Sequence, residues 1–428
     1  MVEFEIGRKV RIVREDMEVE GYVIPKPTLY DDKFILLKLS NGYNIGIQID
    51  ENTKIINLNE KISIGKFPKV EIEKNKNLKN VSLIHTGGTI ASKIDYLTQA
   101  VSPAIKPEEL FYIFPELKNI VNVDRGILLF NIASEDMLPK NWIEIAKVAY
   151  KEILDKEISG VIISHGTDTM HYTSAALSFF IQNLNKPIVL TGAQRSSDRA
   201  SSDAKMNFIC SAYASISEIA EVGVVMHASI NDDFCYFHRG TRVRKMHTTR
   251  RDAFKSINEK PIAKIDIGGN IEILNENYRK RGEEKPILKA FFEEKVALLK
   301  FYPNFNPEII DILVNNFDIK GIVIEASGLG HVATKNEKSW IPYIKKNDKV
   351  LFAITSQCIY GRVHPYVYTN TRILSGLNNV IFCEDMLSEV AYVKLGWLLA
   401  QENDIEKLKK LMVKNFVSEI SYRSYYED

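Results

Sequence analysis

Cysteine is scarce and scattered. The four cysteines, at positions 210, 235, 358 and 383, form no CxxC pair. Neither a zinc module nor a disulfide framework is suggested, and a reducing compartment fits better. Long hydrophobic runs are also lacking: no segment reaches the roughly 18 apolar residues of a membrane span. The opening MVEFEIGRKVRI has no signal-peptide core. The expectation is a cytoplasmic protein without a membrane partner. An excess of either charge is missing too, since 56 Lys and Arg face 55 Asp and Glu. No overall field draws the chain to nucleic acid, although a local basic face remains open. Several catalytic templates are absent: GxxxxGK[ST], GxGxxG after a strand, GxSxG and HExxH. His165 and His171 are six residues apart with no third ligand nearby, so no metal site is expected.

What is present suffices for two or three domains: 428 residues, 45% hydrophobic and 26% charged. Residues 1–70 read as a small all-β, barrel-like domain of about five strands. Asn41-Gly42 is a tight-hairpin signal within it, and Tyr43, Ile45, Ile47 and Ile49 alternate with polar residues after it. The charged stretch 71–80 reads as a linker. From 81 to 285 strands and helices alternate, which implies a larger α/β domain with a largely parallel sheet covered by helices on both faces. Strands are expected at 81–84, 126–132, 160–164, 187–191 and 222–226, and helices at 139–155, 169–184 and 200–217. A second charged, turn-rich stretch, 275–286, precedes a smaller α/β domain at 290–428, closed by a helix over 387–401.

Four polar clusters follow apolar strands. In VSLIHTGGTIAS, residues 81–92, a strand stops at Gly87-Gly88 between Thr86 and Thr89. Adjacent glycines allow backbone geometries closed to other residues, and ligands in α/β sheets bind beyond the carboxyl ends of the strands. Thr89 is thus placed for a nucleophile, although on these residues alone an ordinary tight turn explains the glycines better. Ser134-Glu135-Asp136 follows the second strand. His165-Gly166-Thr167-Asp168-Thr169 follows the third; Thr167 and Asp168 stand where helix N-caps are common, and where free N–H groups stabilise an oxyanion. Lys245 lies in RGTRVRKMHTTRR, which holds six basic residues and no acid. It reads either as part of a solvated or phosphate-contacting loop, or as a lysine that pairs with Asp168 and relays a proton for a threonine nucleophile.

Together these segments resemble the asparaginase/glutaminase family. TGGTIA at 86–91 and HGTDT at 165–169 look like its two active-site motifs. NIASEDM at 131–137 is similar to its segment for the substrate's amino-acid end, and RKMHTTRRDAFKS at 244–256 to the stretch with its active-site lysine. The resemblance covers about 80–428 and implies an asparaginase-like two-domain core. It implies that Thr89 is the nucleophile, that Thr167, Asp168 and Lys245 form an accessory relay, and that Ser134, Glu135 and Gly88 line the substrate. The same resemblance implies that Tyr96 matches the family's mobile-loop tyrosine. Plain asparaginases carry glutamine where this chain has Glu135. Many members also insert a glutamate from a neighbouring protomer, for which 361–375 offers no clear counterpart; the charge of Glu135 stands in for it.

The β-domain at the start departs from plain asparaginases. With GYVIPKP and LKLSNGYNIGI it resembles the family branch that supplies the glutaminase component of archaeal-type glutamyl-tRNA(Gln) amidotransferases. That branch implies release of ammonia from glutamine for a partner, the E subunit of the amidotransferase, which uses ATP and magnesium to amidate glutamyl-tRNA(Gln). It implies no cofactor in this chain, a homodimeric core and a heterotetrameric complex. A free-standing L-asparaginase with an accessory β domain is the alternative.

Overall fold

Two sheets with different jobs dominate the computed structural model, which describes residues 5–25, 33–40, 44–61, 75–88, 92–94, 101–103, 114–195 and 201–424. Near the N-terminus, strands β1 (Arg8–Arg14), β2 (Met17–Ile24), β3 (Phe34–Lys38), β4 (Asn44–Gln48) and β5 (Lys54–Lys61) form an antiparallel sheet in the order β4-β3-β2-β1-β5. Alternate side chains, Val10, Ile12, Val23, Ile35, Leu37 and Ile47, turn to one buried cluster. The Asn41-Gly42 hairpin lies outside the described residues.

The larger sheet begins with β6 (Asn80–His85) and continues through β7 (Asn122–Leu128), β8 (Ile158–Ser164), β9 (Ile188–Thr191) and β10 (Val222–His227). Val81, Leu83 and Ile84 of β6 are buried on both faces, as are Val161–Ile163 of β8, the pattern of strands covered by helices on either side. Pairings β7·β6, β6·β8, β8·β9 and β9·β10 are all parallel. The chain steps from β6 to β7 on one side and then returns to place β8 on the other. The switch point therefore falls between β6 and β8, where a crevice opens beyond the strand ends.

The sheet is parallel only in part. Strands β11 (Phe234–Arg239), β12 (Ala263–Asp266) and β13 (Ile271–Ile273) extend it antiparallel. Helices α1 (Pro139–Leu154) and α2 (Met170–Phe180) cover one face and α3 (Ala204–Ser215) packs on the other. α1 starts at a proline, whose missing N–H costs nothing there, and buries Trp142, Ile145, Ala146, Ala149 and Ile153. α2 is shorter than its apolar pattern implies. Ile181-Gln182 pairs instead with Ile287-Leu288, and the Lys289 N–H donates to the Phe180 carbonyl at 2.7 Å. Strand β7 starts four residues earlier than expected and leaves the sheet after Leu128, where the His85 carbonyl accepts both the Leu129 and the Phe130 N–H.

Strands β14 (Val296–Lys300), β15 (Gly321–Ala326), β16 (Leu351–Ser356) and β17 (Val380–Phe382) make a four-stranded parallel sheet. Helices α4 (Glu308–Phe317), α5 (Ile341–Lys346), α6 (Thr369–Ser375) and α7 (Ser388–Leu399) accompany it. A further helix, α8 (Ile405–Met412), follows the one expected to close the chain, capped by the Asp404 carboxylate accepting from the Lys407 N–H. Phe179 of α2 stacks on Trp397 of α7 at 5.5 Å. One apolar cluster runs through both α/β regions. Among the described residues no helix is long and apolar enough to cross a membrane.

Candidate active site

The switch point brings three loops into backbone contact. After β6, Thr86 is pinned to the end of β8: its N–H and its hydroxyl both donate to the Ser164 carbonyl, at 3.1 and 2.9 Å. Gly87 and Gly88 follow with φ of +131° and +84°. A Cβ on Gly87 would collide with the Ile132 carbonyl oxygen, and one on Gly88 would lie 2.8 Å from the Gly166 nitrogen. Only glycine permits both this backbone conformation and this approach. Gly166 is equally tight, since a Cβ there would meet the Ser134 Cβ at 2.8 Å. The glycines allow 86–88, 131–134 and 165–167 to pack main chain against main chain.

Ser134 is buried on a 3₁₀ turn, Ser134–Asp136, while Glu135 beside it is exposed. Thr169 ties this turn to the third loop: its hydroxyl donates to the Ser134 carbonyl at 2.6 Å and its N–H to the Ser134 hydroxyl at 3.4 Å. Thr169 is also the N-cap of α2, without a side-chain cap bond. Neither Thr167 nor Asp168 therefore caps the helix.

They turn to Lys245 instead. Lys245 ends a short strand, Val243–Lys245, that pairs with Phe254–Ser256, so the basic segment is a β-ribbon here rather than a free loop. Its Nζ donates to Thr167 Oγ1 at 2.9 Å and to Asp168 Oδ1 at 2.6 Å. The lysine side chain is only 10% exposed and the aspartate 66%. A charge-assisted bond of this length fixes the ammonium against the threonine hydroxyl.

Two nearby histidines have other tasks. His165 Nδ1–H donates to the Gly166 carbonyl at 2.7 Å, and its Nε2 accepts from the Thr173 hydroxyl at 2.8 Å. Both ring nitrogens are thus committed, and burial pushes the imidazole down to about 4. His171 is pushed down to about 3, chiefly by burial and further by the Arg244 and Lys245 charges.

Of the residues expected from sequence, Gly88, Ser134, Thr167, Asp168 and Lys245 meet at this crevice, and Glu135 lies on the Ser134 turn. Thr89 and Tyr96 lie outside the described residues. Sequence reasoning set the Thr86 hydroxyl beside a ligand and gave no part to Thr169; in the structure both hydroxyls anchor motif loops. Their signal was a threonine at the inner edge of each glycine pair or acid.

Comparison with known proteins agrees with this geometry. The family described as "Asparaginase, N-terminal" matches residues 80–279, "Glutaminase/Asparaginase C-terminal domain" residues 295–412, and "GatD N-terminal domain" residues 4–58. The D subunit of glutamyl-tRNA(Gln) amidotransferase from Pyrococcus furiosus is 51% identical over 425 residues, 97% of this chain and 95% of that protein. The D subunit from Methanothermobacter thermautotrophicus is 48% identical over 425 residues, 98% of this chain and 95% of that protein. Among solved structures, the thermostable L-asparaginase from Thermococcus kodakarensis superposes with a TM-score of 0.71 at 26% identity, covering 80% of this chain and 100% of that one. L-asparaginase I from Vibrio cholerae gives 0.68 at 26%, covering 80% and 99%. With relatives matched along nearly their whole length and all three family segments in order, the chain belongs to the D-subunit family of glutamyl-tRNA(Gln) amidotransferases.

Proposed function

We propose that this chain is the glutaminase component of a tRNA-dependent amidotransferase. It hydrolyses the side-chain amide of glutamine to glutamate and ammonia, and the E subunit of the complex uses the ammonia with ATP and magnesium to convert glutamyl-tRNA(Gln) to Gln-tRNA(Gln). The observation that carries the reading is Lys245 Nζ held between Thr167 Oγ1 and Asp168 Oδ1 at the sheet's switch point, in a chain whose relatives bear the amidotransferase name over their full length.

In this reading Thr89 Oγ attacks the amide carbon of glutamine. The C–N bond breaks with transfer of a proton to the leaving nitrogen, giving ammonia and a threonine ester. Water then cleaves the ester, with the Thr167–Lys245–Asp168 relay moving the proton. Lys245, held against the Thr167 hydroxyl and aimed there by Asp168, passes the proton along this relay. Gly88 lets the main chain approach the substrate, Ser134 and Glu135 hold its carboxylate and ammonium ends, and Tyr96 covers the site. The chain needs no cofactor of its own. It works in the cytoplasm as a homodimeric core that joins the E subunit in a heterotetramer. A free-standing L-asparaginase is the second reading, supported by the two solved neighbours of that name.

One experiment tests both. Ammonia release from glutamine and from asparagine is measured with and without the E subunit and glutamyl-tRNA(Gln), for the parent and for Thr89→Ala. Glutamine hydrolysis raised by the partner and abolished in Thr89→Ala is the expected result. Fast, partner-independent asparagine hydrolysis would favour the second reading. Parent-like ammonia release by Thr89→Ala would move the nucleophile to Thr167, whose hydroxyl already faces Lys245.

A further inference from the structure

The ribbon that carries Lys245 has two faces. Side chains alternate along it. Val243 and Lys245 turn one way, and Lys245 reaches Thr167 and Asp168. Arg242 and Arg244 turn the other way, toward the C-terminal region. Arg242 is 1% exposed, a guanidinium almost wholly removed from water. Its Nη1 donates to Asp385 Oδ2 at 3.0 Å, its Nε to the Ser418 carbonyl at 2.9 Å, and its Nη2 to Ser421 Oγ at 2.8 Å. Asp385 is buried too, and its other oxygen accepts from the Ser421 N–H at 2.9 Å. One residue earlier, the Thr241 hydroxyl donates to the Val417 carbonyl at 3.1 Å. Two residues later, Arg244 pairs with Glu389 in the first turn of α7 at 3.0 Å. Just past the second strand of the ribbon, Asn258 Nδ2 donates to the Asp385 carbonyl at 2.9 Å.

The partners Asp385, Glu389, Ser418 and Ser421 lie in the smaller α/β region or its tail. Neither Thr167 nor Asp168, the partners of Lys245 Nζ, comes from that region. The ribbon pairs over 243–245 and 254–256, and the Ile257 N–H on the Arg242 carbonyl at 2.7 Å and the Met246 N–H on the Ala253 carbonyl at 2.6 Å extend it; this ladder holds the two strands to each other, whereas the Arg242 and Arg244 side chains tie them to the C-terminal region. Planar, fork-shaped guanidinium groups fix direction as well as distance.

We propose that Arg242 and Asp385 are positioning residues for the proton relay: through their buried pair the C-terminal region sets the register of the ribbon and so the place of Lys245 Nζ. The inference rests on Lys245 acting in the relay. It extends that reading by giving the second α/β region a part in turnover.

The test replaces the pair as a unit. Arg242→Met with Asp385→Leu removes both charges and both partners while filling the space, a change that buried pairs often tolerate in stability. Measured on the full chain, the double variant should fold with a somewhat lower thermal midpoint, because the Ser418 carbonyl and the Ser421 hydroxyl and N–H lose their partners, and should keep its KM for glutamine while kcat falls about 100-fold, the scale of loss from misplacing a catalytic group by about 1 Å. A parent-like kcat in the folded double variant, with Lys245→Met inactive in parallel, overturns the inference and leaves the relay reading intact. Parent-like turnover by Lys245→Met overturns the relay reading itself, and this inference with it. If the double variant does not fold, Asp385→Asn decides, because it removes the negative charge that Arg242 Nη1 donates to and keeps the size of the side chain. A several-fold drop in kcat at unchanged KM supports positioning, and an unchanged kcat overturns it.

Discussion

Lys245→Met separates the catalytic from the structural reading of the lysine most sharply. The substitution keeps the length of the side chain and deletes two bonds, to Thr167 Oγ1 at 2.9 Å and to Asp168 Oδ1 at 2.6 Å. For stability the loss is small. Asp168 is 66% exposed, so water takes over its carboxylate when the lysine goes. Lys245 is only 10% exposed, so its removal also relieves the cost of holding its charge away from water, and the net loss stays at about 1 kcal/mol. For turnover the loss is large. A positioned acid or base contributes about 10²–10⁴-fold, which at about 1.36 kcal/mol per decade is about 2.7–5.4 kcal/mol of barrier. The two effects differ several-fold in energy and are read by different instruments. Ammonia release under saturating glutamine gives kcat, calorimetry gives the thermal midpoint, and titration on a Thr89→Ala background gives glutamine affinity. The expected result is a collapsed kcat with midpoint and affinity close to the parent's. Lys245→Arg should not restore it, because a guanidinium does not give up its proton. A parent-like kcat in folded Lys245→Met refutes the relay. Equal losses in kcat and affinity would assign the lysine to substrate binding.

Glu135→Gln removes the negative charge beside buried Ser134; with the carboxylate on the substrate ammonium, a charge-assisted bond of about 1.5–3 kcal/mol is lost, so glutamine affinity should weaken about 10- to 100-fold. The same titration on Thr89→Ala checks it, and unchanged affinity removes Glu135 from the site. Gly88→Ala should abolish ammonia release and lower the thermal midpoint, since φ is +84° and the new Cβ would press on the Gly166 nitrogen at 2.8 Å; a fully active variant would mean the loops can separate freely. Acid should destabilise the fold early. Burial lowers His85 and His165 to about 4, and His171 and His238 to about 3, from an ordinary 6.5. These groups stay neutral in the fold while the unfolded chain takes up their protons, so stability is complete above 6.5 and declines as pH falls toward 4 and 3. Each contributes at about 1.4 kcal/mol per unit of difference. A urea midpoint that does not fall over this range would contradict the assignment, and His165→Gln should flatten the decline.

What the sequence determined by itself was local. Apolar runs ending in Gly87-Gly88 and His165-Gly166 marked two strand ends, because a parallel strand buried on both faces is apolar throughout and glycine must follow where main chains cross. The helical spacing of Trp142, Ile145, Ala146, Ala149 and Ile153 marked α1 for the same kind of reason: a face that must be buried repeats with the period of the helix. Motif order supplied the family. Everything that depends on contacts between distant residues was decided by the tertiary structure. Thr167 and Asp168 looked like helix caps from their neighbours, yet Thr169 caps α2 and the other two face a lysine 77 or 78 residues away. The apolar pattern of α2 runs on past Phe180, but pairing with Ile287-Leu288 gives those backbone groups a sheet partner and ends the helix. The stretch around Lys245 read either as a basic loop or as carrying a lysine paired with Asp168, and only the fold chose the pairing, because charge is visible in a sequence and its neutralisation is not. Arg242 is buried against Asp385 and Ser421, more than 140 residues away, and no local pattern announces such a pair. Strand and turn preferences act over a few residues, whereas the position of a charge in three dimensions depends on how whole sheets and helices pack.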